Sequence, residues 1–330
     1  MEKLVTRAYN RFEIDEIRGV VRKISATSRL RDEIQYYTKL TNAHPQEAVF
    51  FPRMFQSSIE GEDYWMDLEM YGYPNLGKYL LAEDELIDWN IVFTKLREIL
   101  LSWSTTHPYS SWTKDEITKS AYEMYVLKTE REQNAFVDGW KDKISGVFFD
   151  GTENGIIYIN KKEYKPFELI WPLVKKYIEE NILDFNPSII HGDCCFSNIL
   201  YNNQSSIIRF IDPRGSFGKV GIYGDIRYDV AKLYHSVDGT YESFINDKFE
   251  VTNDKNVHQL KLNGHMSNIE IIHALTAFEK TFFPQFDKKQ IKTLQGCIFI
   301  GMCARHYDSL QRQHAMYLTG IRLLNEAMEL

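Results

Sequence analysis

Three polar residues in the second half of the chain have the types and spacing that phosphoryl transfer requires. Asp193 is followed five residues later by Asn198, and Asp212 comes directly after the mostly apolar run 207–211. A carboxylate can take the proton of an attacking hydroxyl, while an amide oxygen and a second carboxylate can hold Mg²⁺ against the phosphates of ATP. The order predicts Asp193 as catalytic base, and Asn198 with Asp212 as metal ligands.

These residues also have ordinary structural interpretations. Asp193 alone is compatible with a loop residue that caps a helix, and the segment from Asn198 to Asp212 with a hairpin that carries common turn residues. The three side chains together, in this order, favour the catalytic interpretation.

A phosphoryl-transfer site also needs a cation on the α- and β-phosphates, oriented by a carboxylate. Residues 18–25 alternate as a strand, which places Lys23 beside Val21, and Glu33 falls in the following helical pattern. Lys23 and Glu33 are the predicted pair. Arg22 and Asp32 are the alternative assignment, and an ordinary surface ion pair is the structural one.

The segment Tyr71–Gly77 is rich in turn residues and is the predicted connection between two lobes. We expect the nucleotide base to be bound by the backbone at Glu69, Met70 and Tyr71. ATP is the expected donor. Because the backbone rather than side chains would recognise the base, the side chains of this segment do not exclude GTP.

Three short motifs carry a resemblance to a known family. They are His191-Gly192-Asp193 with Asn198, Ile211-Asp212-Pro213-Arg214-Gly215, and Tyr228-Asp229-Val230-Ala231. The region 188–232 resembles the aminoglycoside phosphotransferase and choline kinase superfamily. That resemblance implies a bilobal, protein-kinase-like α+β fold, with a small N-terminal β-sheet lobe containing one helix and a larger, mainly α-helical C-terminal lobe.

The resemblance also implies supporting roles and has one departure. His191 is expected to hold the backbone of the loop, and Asp229 to bind that loop or else only to face its own helix dipole. No glycine-rich G-x-G-x-x-G motif precedes Lys23. The segment Asn10–Asp15 is interpreted as an acidic, bulky turn, which leaves nucleotide affinity in doubt.

Four residues are candidate substrate contacts: Arg214, Asp225, Arg227 and Arg305. Asp225 could accept hydrogen bonds from sugar hydroxyls or an amine, and Arg214 and Arg227 could hold an anionic group or only pair with nearby acids. Arg305 and His306 are predicted to lie on an otherwise apolar helix, Gly296–Tyr307, and an internal ion pair is the structural alternative for Arg305. The aromatic and basic helix 122–131 is interpreted as core.

The predicted elements divide the chain into a nucleotide-binding lobe, residues 1–70, and a catalytic and substrate-binding lobe, residues 71–330. The small lobe has predicted strands at 3–8, 18–25, 48–57 and 63–70, and a helix at 29–41 with Ser28 as its N-cap. In the large lobe, helices are predicted at 75–82, 90–106, 113–136, 167–183, 226–250 and 268–328. A turn at 151–155 precedes a strand at 156–159, and a hairpin pairs 198–201 with 207–211.

Composition excludes several functional classes. The 330 residues carry 39 basic and 46 acidic side chains, a net charge of −7, and no long basic run. Nucleic-acid and membrane partners are therefore disfavoured. The four cysteines form no C-x-x-C pair, which argues against zinc, and the first residues lack the apolar core of a signal peptide. We expect a cytoplasmic protein, with its oligomeric state open.

The sequence therefore predicts Mg²⁺-dependent transfer of the ATP γ-phosphoryl group to a hydroxyl of a small molecule, most simply a sugar or polyol. Choline or another amino alcohol, and an aminoglycoside, are the alternative acceptors. A catalytically inactive pseudokinase that only binds ligands, suggested by the missing glycine motif, and a subunit that works with a neighbouring biosynthetic enzyme are the other interpretations.

Overall fold

The computed structural model describes residues 10–82, 85–105, 112–140, 143, 146 and 155–330. Three predicted features fall wholly or partly elsewhere. The strand at 3–8, the last residue of the 90–106 helix and residues 151–154 of the predicted turn lie outside the described residues.

The N-terminal part is an antiparallel sheet of four strands in the order β1-β2-β4-β3, within the described residues. Its strands are β1 (Arg11–Asp15), β2 (Val20–Ser25), β3 (Met54–Ser58) and β4 (Tyr64–Glu69). Helix α1 (Ser28–Ala43) packs on it through apolar residues at three- and four-residue spacing, among them Leu30, Ile34 and Tyr37. This packing fixes where the side chains of α1 meet the inner face of β2.

Three local predictions for this sheet need correction. Residues 11–15 form strand β1 rather than a turn, because each of them pairs with β2. The predicted strand at 48–57 begins only at Met54, since Pro45–Ala48 form a short helix, α2. Ser28 is the first residue of α1 and Thr27 is its N-cap, with no side-chain capping bond.

The larger part is mainly helical, and its helices keep the predicted order. Their bounds are α3 (Leu76–Leu80), α4 (Trp89–Thr105), α5 (Lys114–Tyr122), α6 (Lys128–Trp140), α7 (Phe167–Asn181), α8 (Ile226–Val237), α9 (Tyr241–Ile245), α10 (His265–Phe282), α11 (Lys288–Cys303) and α12 (Leu310–Glu329). A π-helical segment, Glu123–Leu127, joins α5 to α6. The predicted α+β class, with a small sheet and a larger helical part, is confirmed.

Short strands interrupt these helices and carry the polar loops. The bounds are β5 (Ile157–Ile159), β6 (Lys162–Tyr164), β7 (Ser188–Ile189), β8 (Ile199–Asn202), β9 (Ile207–Phe210), β10 (Ser216–Phe217), β11 (Lys219–Val220), β12 (Tyr223–Gly224), β13 (Phe249–Asp254) and β14 (Val257–Leu262). The predicted helix over 226–250 is divided: α8 ends at Val237, α9 covers only Tyr241–Ile245, and the last two residues belong to β13. Strands β13 and β14 join β5 and β6 in a second four-stranded sheet, in the order β13-β14-β5-β6.

The interior of the described residues is apolar and continuous. One cluster of buried side chains runs from α1 through the helices to α12. The four cysteines are free and buried in it. No helix within the described ranges has both the length and the apolar character that a membrane crossing requires.

Candidate active site

Hairpin β8–β9 places two of the predicted ligands side by side. Ile199 at the start of β8 pairs with Phe210 at the end of β9, so Asn198 and the residues after Phe210 meet at one end of the hairpin. The Ile211 N–H donates to the Asn198 carbonyl at 3.0 Å. The Asn198 side-chain amide donates to the Asp193 carbonyl at 2.9 Å. This bond ties the loop to the hairpin and turns the amide oxygen of Asn198 away from that carbonyl.

His191 joins the loop to the strand that leads to Asp212. Its Nε2 lies 2.8 Å from the Ile211 carbonyl and its Nδ1 lies 3.1 Å from the Asp193 N–H. The ring therefore donates at Nε2 and accepts at Nδ1, which is the neutral tautomer. Burial lowers the pKa of His191 to about 4. The neutral ring therefore holds the loop in place by donating one hydrogen bond and accepting another.

Asp229 holds the same loop from helix α8. Its carboxylate accepts the N–H of His191 at 2.6 Å and that of Gly192 at 2.8 Å. Burial raises the pKa of Asp229 to about 7, against the effect of these two bonds. The carboxylate thus faces the loop, so the alternative of an Asp that only faces its helix dipole does not describe this contact.

Two glycines allow close contacts around this loop. Gly192 has a left-handed φ of 79°, and a β-carbon there would lie 2.8 Å from the β-carbon of Arg214. Gly215 has a φ of 71°, and a β-carbon there would overlap the backbone carbonyl of Asp32 in α1. The segment that carries Asp212 is thereby packed directly against the helix that carries Glu33.

Lys23 contacts both carboxylates that the sequence associates with nucleotide phosphates. Its Nζ lies 2.7 Å from Oε2 of Glu33 and 2.8 Å from Oδ1 of Asp212. Lys23 and Glu33 are buried, whereas 45% of the Asp212 side chain is exposed. Burial alone would lower the pKa of Lys23, but the two carboxylates outweigh it and raise the pKa. Lys23 is a fixed cation that joins the N-terminal sheet to Asp212.

Asp212 has an unusual backbone conformation. Its φ is 58°, in the left-handed region that residues other than glycine seldom adopt. Asp and Asn tolerate this region better than most residues because their short polar side chains can bond locally. Such strain is typical of functional sites, and here it coincides with the predicted metal ligand.

Lys232 is a member of the site that the sequence did not reveal. It is buried on α8, and its Nζ lies 2.8 Å from Oδ1 of Asp193. The carboxylate outweighs the effect of burial and raises the pKa of Lys232. A sequence signal does exist, because Lys232 follows Asp229 by three residues and therefore lies on the same helix face. One face of α8 thus binds both the backbone of the loop, through Asp229, and the carboxylate of Asp193, through Lys232.

A second buried acid supports the loop from the other side. Ser236 accepts the Phe196 N–H at 3.1 Å and donates to Oε1 of Glu242 at 3.0 Å. The other oxygen of Glu242 has no hydrogen-bond partner among the described residues. Burial raises the pKa of Glu242 to about 7.

Replacing Glu242 by Gln is expected to change the pH dependence of stability. Between the unfolded pKa of about 4.5 and the folded pKa of about 7, the folded wild type binds more protons than the unfolded chain. Its stability therefore falls as pH rises through this window, and Gln removes that loss. The melting temperature of Glu242→Gln minus that of the wild type should increase from pH 5 to pH 8. A difference that does not vary with pH would contradict the buried, protonated carboxyl.

The predicted base-binding segment is stiffened by side chains from both parts of the chain. Tyr71 donates its hydroxyl to Glu69 at 2.7 Å and accepts from Arg209 of β9 at 3.2 Å. The Met70 N–H donates to the carbonyl of Gly19 at 2.8 Å, so this amide is already engaged. The Glu69 N–H is likewise engaged, with the carbonyl of Arg53 at 2.9 Å. Recognition of a base by the backbone of Glu69, Met70 and Tyr71 stays a prediction.

The alternative phosphate pair is not brought together. Arg22 lies on the opposite face of β2, where its guanidinium bonds Asp67 at 2.6 and 2.8 Å and stacks 4.4 Å from the Trp65 ring centroid. Asp32 contacts Arg31 at 3.5 Å. Only Lys23 and Glu33 combine contact with each other and proximity to Asp212.

Three of the four predicted substrate contacts are engaged elsewhere. Asp225 is buried, and its carboxylate accepts from Tyr125 and from Arg227. Arg227 also donates to Gln290 and to the carbonyls of Ile182 and Asp184. These bonds fix the start of α8 and correct the interpretation of both residues as groups that face an acceptor.

Of the remaining two predicted contacts, Arg305 is also engaged elsewhere, whereas Arg214 stays close to Asp193. Arg305 lies beyond the end of α11 and pairs with Glu132 at 2.6 Å, an ion pair at the surface rather than the internal one named as its alternative. Arg214 donates to the Tyr228 hydroxyl at 3.2 Å and packs beside Gly192. Arg214 therefore remains next to Asp193.

Comparison with known proteins supports the fold through structure rather than sequence. No family model matches this chain, and neither does any curated protein sequence. A provisionally assigned fructosamine-3-kinase from Haemophilus somnus 129PT matches with a TM-score of 0.54 and 13% identity, over 99% of this chain and 90% of that one. A choline kinase from Streptococcus pneumoniae matches with a TM-score of 0.51 and 11% identity, over 98% of this chain and 93% of that one.

An aminoglycoside phosphotransferase solved as a ternary complex with streptomycin and ATP gives a TM-score of 0.49 and 10% identity, over 99% of this chain and 90% of that one. The fructosamine and choline kinase structures span nearly the whole of this chain, so the similarity includes both the N-terminal sheet and the helical part. The chain therefore has the protein-kinase-like fold that small-molecule kinases share.

Proposed function

We propose that this protein transfers the γ-phosphoryl group of ATP to a hydroxyl of a small molecule. The observation that carries the proposal is the contact of Lys23 with both Glu33 and Asp212, at 2.7 and 2.8 Å. A buried cation held between a helix carboxylate and a half-exposed carboxylate is the arrangement that positions nucleotide phosphates in kinase-like sites. Asp193 and Asn198 lie on the loop and hairpin adjoining Asp212.

The residues present fit Mg²⁺. Mg²⁺ prefers oxygen ligands and takes one or two from protein when phosphates and water complete its shell. Asn198 and Asp212 offer one amide oxygen and one carboxylate, and the amide of Asn198 is oriented by its bond to the Asp193 carbonyl. The described residues contain no group of three His, Cys, Asp or Glu side chains arranged around a metal. When bound, Mg²⁺ would neutralise negative charge on the phosphates.

The protein's own groups would perform alignment and proton transfer. Asp193 would accept a hydrogen bond from the acceptor hydroxyl and take its proton late, as the new P–O bond forms. Lys232 holds one oxygen of Asp193 and so fixes the direction of the carboxylate. Because the transition state is loose, most of the rate enhancement would come from this alignment and from charge neutralisation.

The turn that takes the place of a glycine-rich loop is held by side-chain hydrogen bonds. It comprises residues 16–19 between β1 and β2, and only Gly19 in it is a glycine. Arg18 bonds back to Asp15 through its N–H and its guanidinium, at 3.0 and 2.6 Å. These two bonds close the turn without a glycine-rich motif.

A sugar or polyol remains the first choice of acceptor. A quaternary ammonium group requires aromatic faces that are open to it. The rings of Tyr228 and Tyr241 already have Lys128 and Lys232 near their faces, at 5.9 and 5.5 Å from the ring centroids. This arrangement leaves neither of these two ring faces open and so disfavours choline.

The test is release of nucleoside diphosphate from ATP and from GTP with Mg²⁺, across sugars, polyols, amino alcohols and aminoglycosides. Turnover that depends on the acceptor and disappears in Asp193→Asn would support the proposal. Nucleotide hydrolysis that is equal with every acceptor and unchanged in the variant would overturn it. Failure to bind Mg²⁺ and nucleotide at all would favour a pseudokinase that binds other ligands.

A further inference from the structure

Four basic side chains lie near one another around Lys128, and two of them, Lys232 and Arg214, also lie next to Asp193 or its loop. This cluster consists of Lys128 at the start of α6, Arg214 after Asp212, Lys232 on α8 and Arg305 after α11. The side chain of Tyr228 contacts two of them, Arg214 and Lys128. Arg214 bonds its hydroxyl at 3.2 Å, and Lys128 Nζ lies 5.9 Å from its ring centroid.

The charges of this cluster are only half balanced by the described residues. Lys232 is paired with Asp193 at 2.8 Å, and Arg305 with Glu132 at 2.6 Å. Lys128 and Arg214 make no ion pair with any acid in the part of the chain that the structure describes. Glu132 is one helical turn beyond Lys128, but its carboxylate is bonded to Arg305. Arg214, which packs against Gly192 of the Asp193 loop, and Lys128, which lies near the ring of Tyr228, therefore have no paired acid among the described residues.

Nearby Arg227 shows what a purely structural cation looks like in this protein. Its guanidinium bonds Asp225, Gln290 and two backbone carbonyls, so its donors and its charge are satisfied within the fold. Lys128 instead has an aromatic ring and three other cations around it. Burial and the charges of Arg214, Arg305 and Lys232 hold the pKa of Lys128 well below its usual value. Glu132 favours the charged form of Lys128, but less strongly than burial and the three cations disfavour it.

The backbone around Lys128 is also irregular. The five residues before it, Glu123–Leu127, are π-helical. Such segments insert an extra residue into a helix, cost stability, and occur frequently at functional sites. The irregular segment ends where Lys128 begins, so it sets the direction in which the first turn of α6 presents this side chain.

We infer that the acceptor carries an anionic group, a phosphate or a carboxylate, in addition to its reactive hydroxyl, and that Lys128 and Arg214 bind this group. The inference rests on the proposed function and specifies its substrate class. An anion at this position would supply the counter-charge that both side chains lack. Arg214 offers paired guanidinium donors, which match a carboxylate or phosphate. The hydroxyl of such a molecule would then be directed toward Asp193, which adjoins Gly192 and Arg214.

The experiment compares ligands of one carbon skeleton that differ in charge. Binding of glycerol, glycerate and glycerol 3-phosphate, and of glucose, gluconate and glucose 6-phosphate, is measured by calorimetry with saturating Mg²⁺ and a non-hydrolysable ATP analogue. The analogue keeps the nucleotide phosphate site occupied. We expect an anionic member to bind at least about tenfold more tightly than its neutral partner. The carboxylate and phosphate arms show which anion the site takes.

The variants locate the effect. Lys128→Met keeps the apolar stem, and Arg214→Gln keeps a donor without the charge, so each is expected to fold and to lose most of the anion advantage. Lys119→Met is the matched control, because Lys119 is an exposed lysine on α5 that is paired with Asp115. The control should bind as the wild type does.

Two results would overturn the inference: equal binding of charged and neutral members, including no binding of either, or an anion advantage that neither Lys128→Met nor Arg214→Gln reduces. Either result leaves the kinase proposal intact if a neutral acceptor gives Asp193-dependent turnover. Conversely, an anion advantage that is lost in both variants, without turnover for any acceptor, would support the anion site and count against the kinase reaction. The two proposals can therefore fail separately.

Discussion

Replacement of Asp193 by Asn is expected to reduce the turnover of phosphoryl transfer by about 10²–10⁴-fold, the usual contribution of a positioned general base. The amide has nearly the same size and can still accept a hydrogen bond from the acceptor hydroxyl. It cannot take the proton as the P–O bond forms. The loss should therefore appear in kcat, measured by nucleoside diphosphate release, while binding of Mg²⁺ and nucleotide stays close to that of the wild type.

The same substitution removes the ionic partner of a buried lysine. Lys232 is 4% exposed, and its Nζ lies 2.8 Å from Asp193. A buried cation that loses its carboxylate destabilises the fold, so the melting temperature of Asp193→Asn should fall by a few degrees. The double variant Asp193→Asn with Lys232→Met removes that buried charge. Its melting temperature should recover while its turnover remains low.

This double variant separates chemistry from stability. If turnover recovered together with the melting temperature, the loss in Asp193→Asn would reflect a disturbed loop rather than a missing base. If Asp193→Asn retained wild-type turnover, Asp193 would have no part in proton transfer. Lys232→Met alone tests the positioning role, since it should lower kcat more than it changes the KM for nucleotide.

The part of the site that the sequence predicted depends on short-range geometry. Asp193 and Asn198 lie on one loop, and Asp212 follows the hairpin strand that pairs beside Asn198. Residue types at fixed offsets are sufficient to predict such an arrangement. Lys23 and Glu33 are similarly close in sequence, on a strand and the helix that follows it. Predicting their contact requires only that helix α1 follow strand β2 and that Lys23 be assigned to the correct face of β2.

The residues that were missed depend on packing between distant elements. Lys232 belongs to a helix that is buried on nearly all sides, so its periodicity alone does not show which neighbour it meets. Lys128 was interpreted as part of a core helix because aromatic residues surround it in sequence. What distinguishes it is that no acid in the described structure forms an ion pair with it, since nearby Glu132 is bonded to Arg305, and charge balance in three dimensions cannot be predicted from one segment.

The errors in the strands have a related cause. Arg11–Asp15 alternates between polar and apolar residues, and although its acidic, bulky composition favours a turn, all five residues pair with β2. Phe249–Asp254 and Val257–Leu262 also alternate, and they form strands because they pair with each other and with β5. Alternation in a short segment allows a strand, whereas a partner strand elsewhere in the chain decides whether it forms.

Replacement of Asp212 by Asn should lower turnover by at least about a hundredfold, as expected when one group that stabilises transition-state charge is removed. Asn keeps an oxygen but lacks the negative charge that favours Mg²⁺. Half-maximal activity should therefore require more Mg²⁺ than in the wild type. The fold should survive, because Asn tolerates the left-handed backbone that Asp212 adopts at a φ of 58°, and Lys23 keeps its 2.7 Å contact with Glu33.

Two further variants give this prediction its controls. Asp212→Ala should lose turnover and also stability, because alanine lacks the short polar side chain that eases a left-handed conformation. Asp67→Asn removes a carboxylate of the same sheet that bonds Arg22 on the opposite face, so its turnover and Mg²⁺ requirement should match those of the wild type. If Asp212→Asn behaved like Asp67→Asn in both measurements, Asp212 would not be a metal ligand. Its contact with Lys23 would then serve only to join the N-terminal sheet to the hairpin.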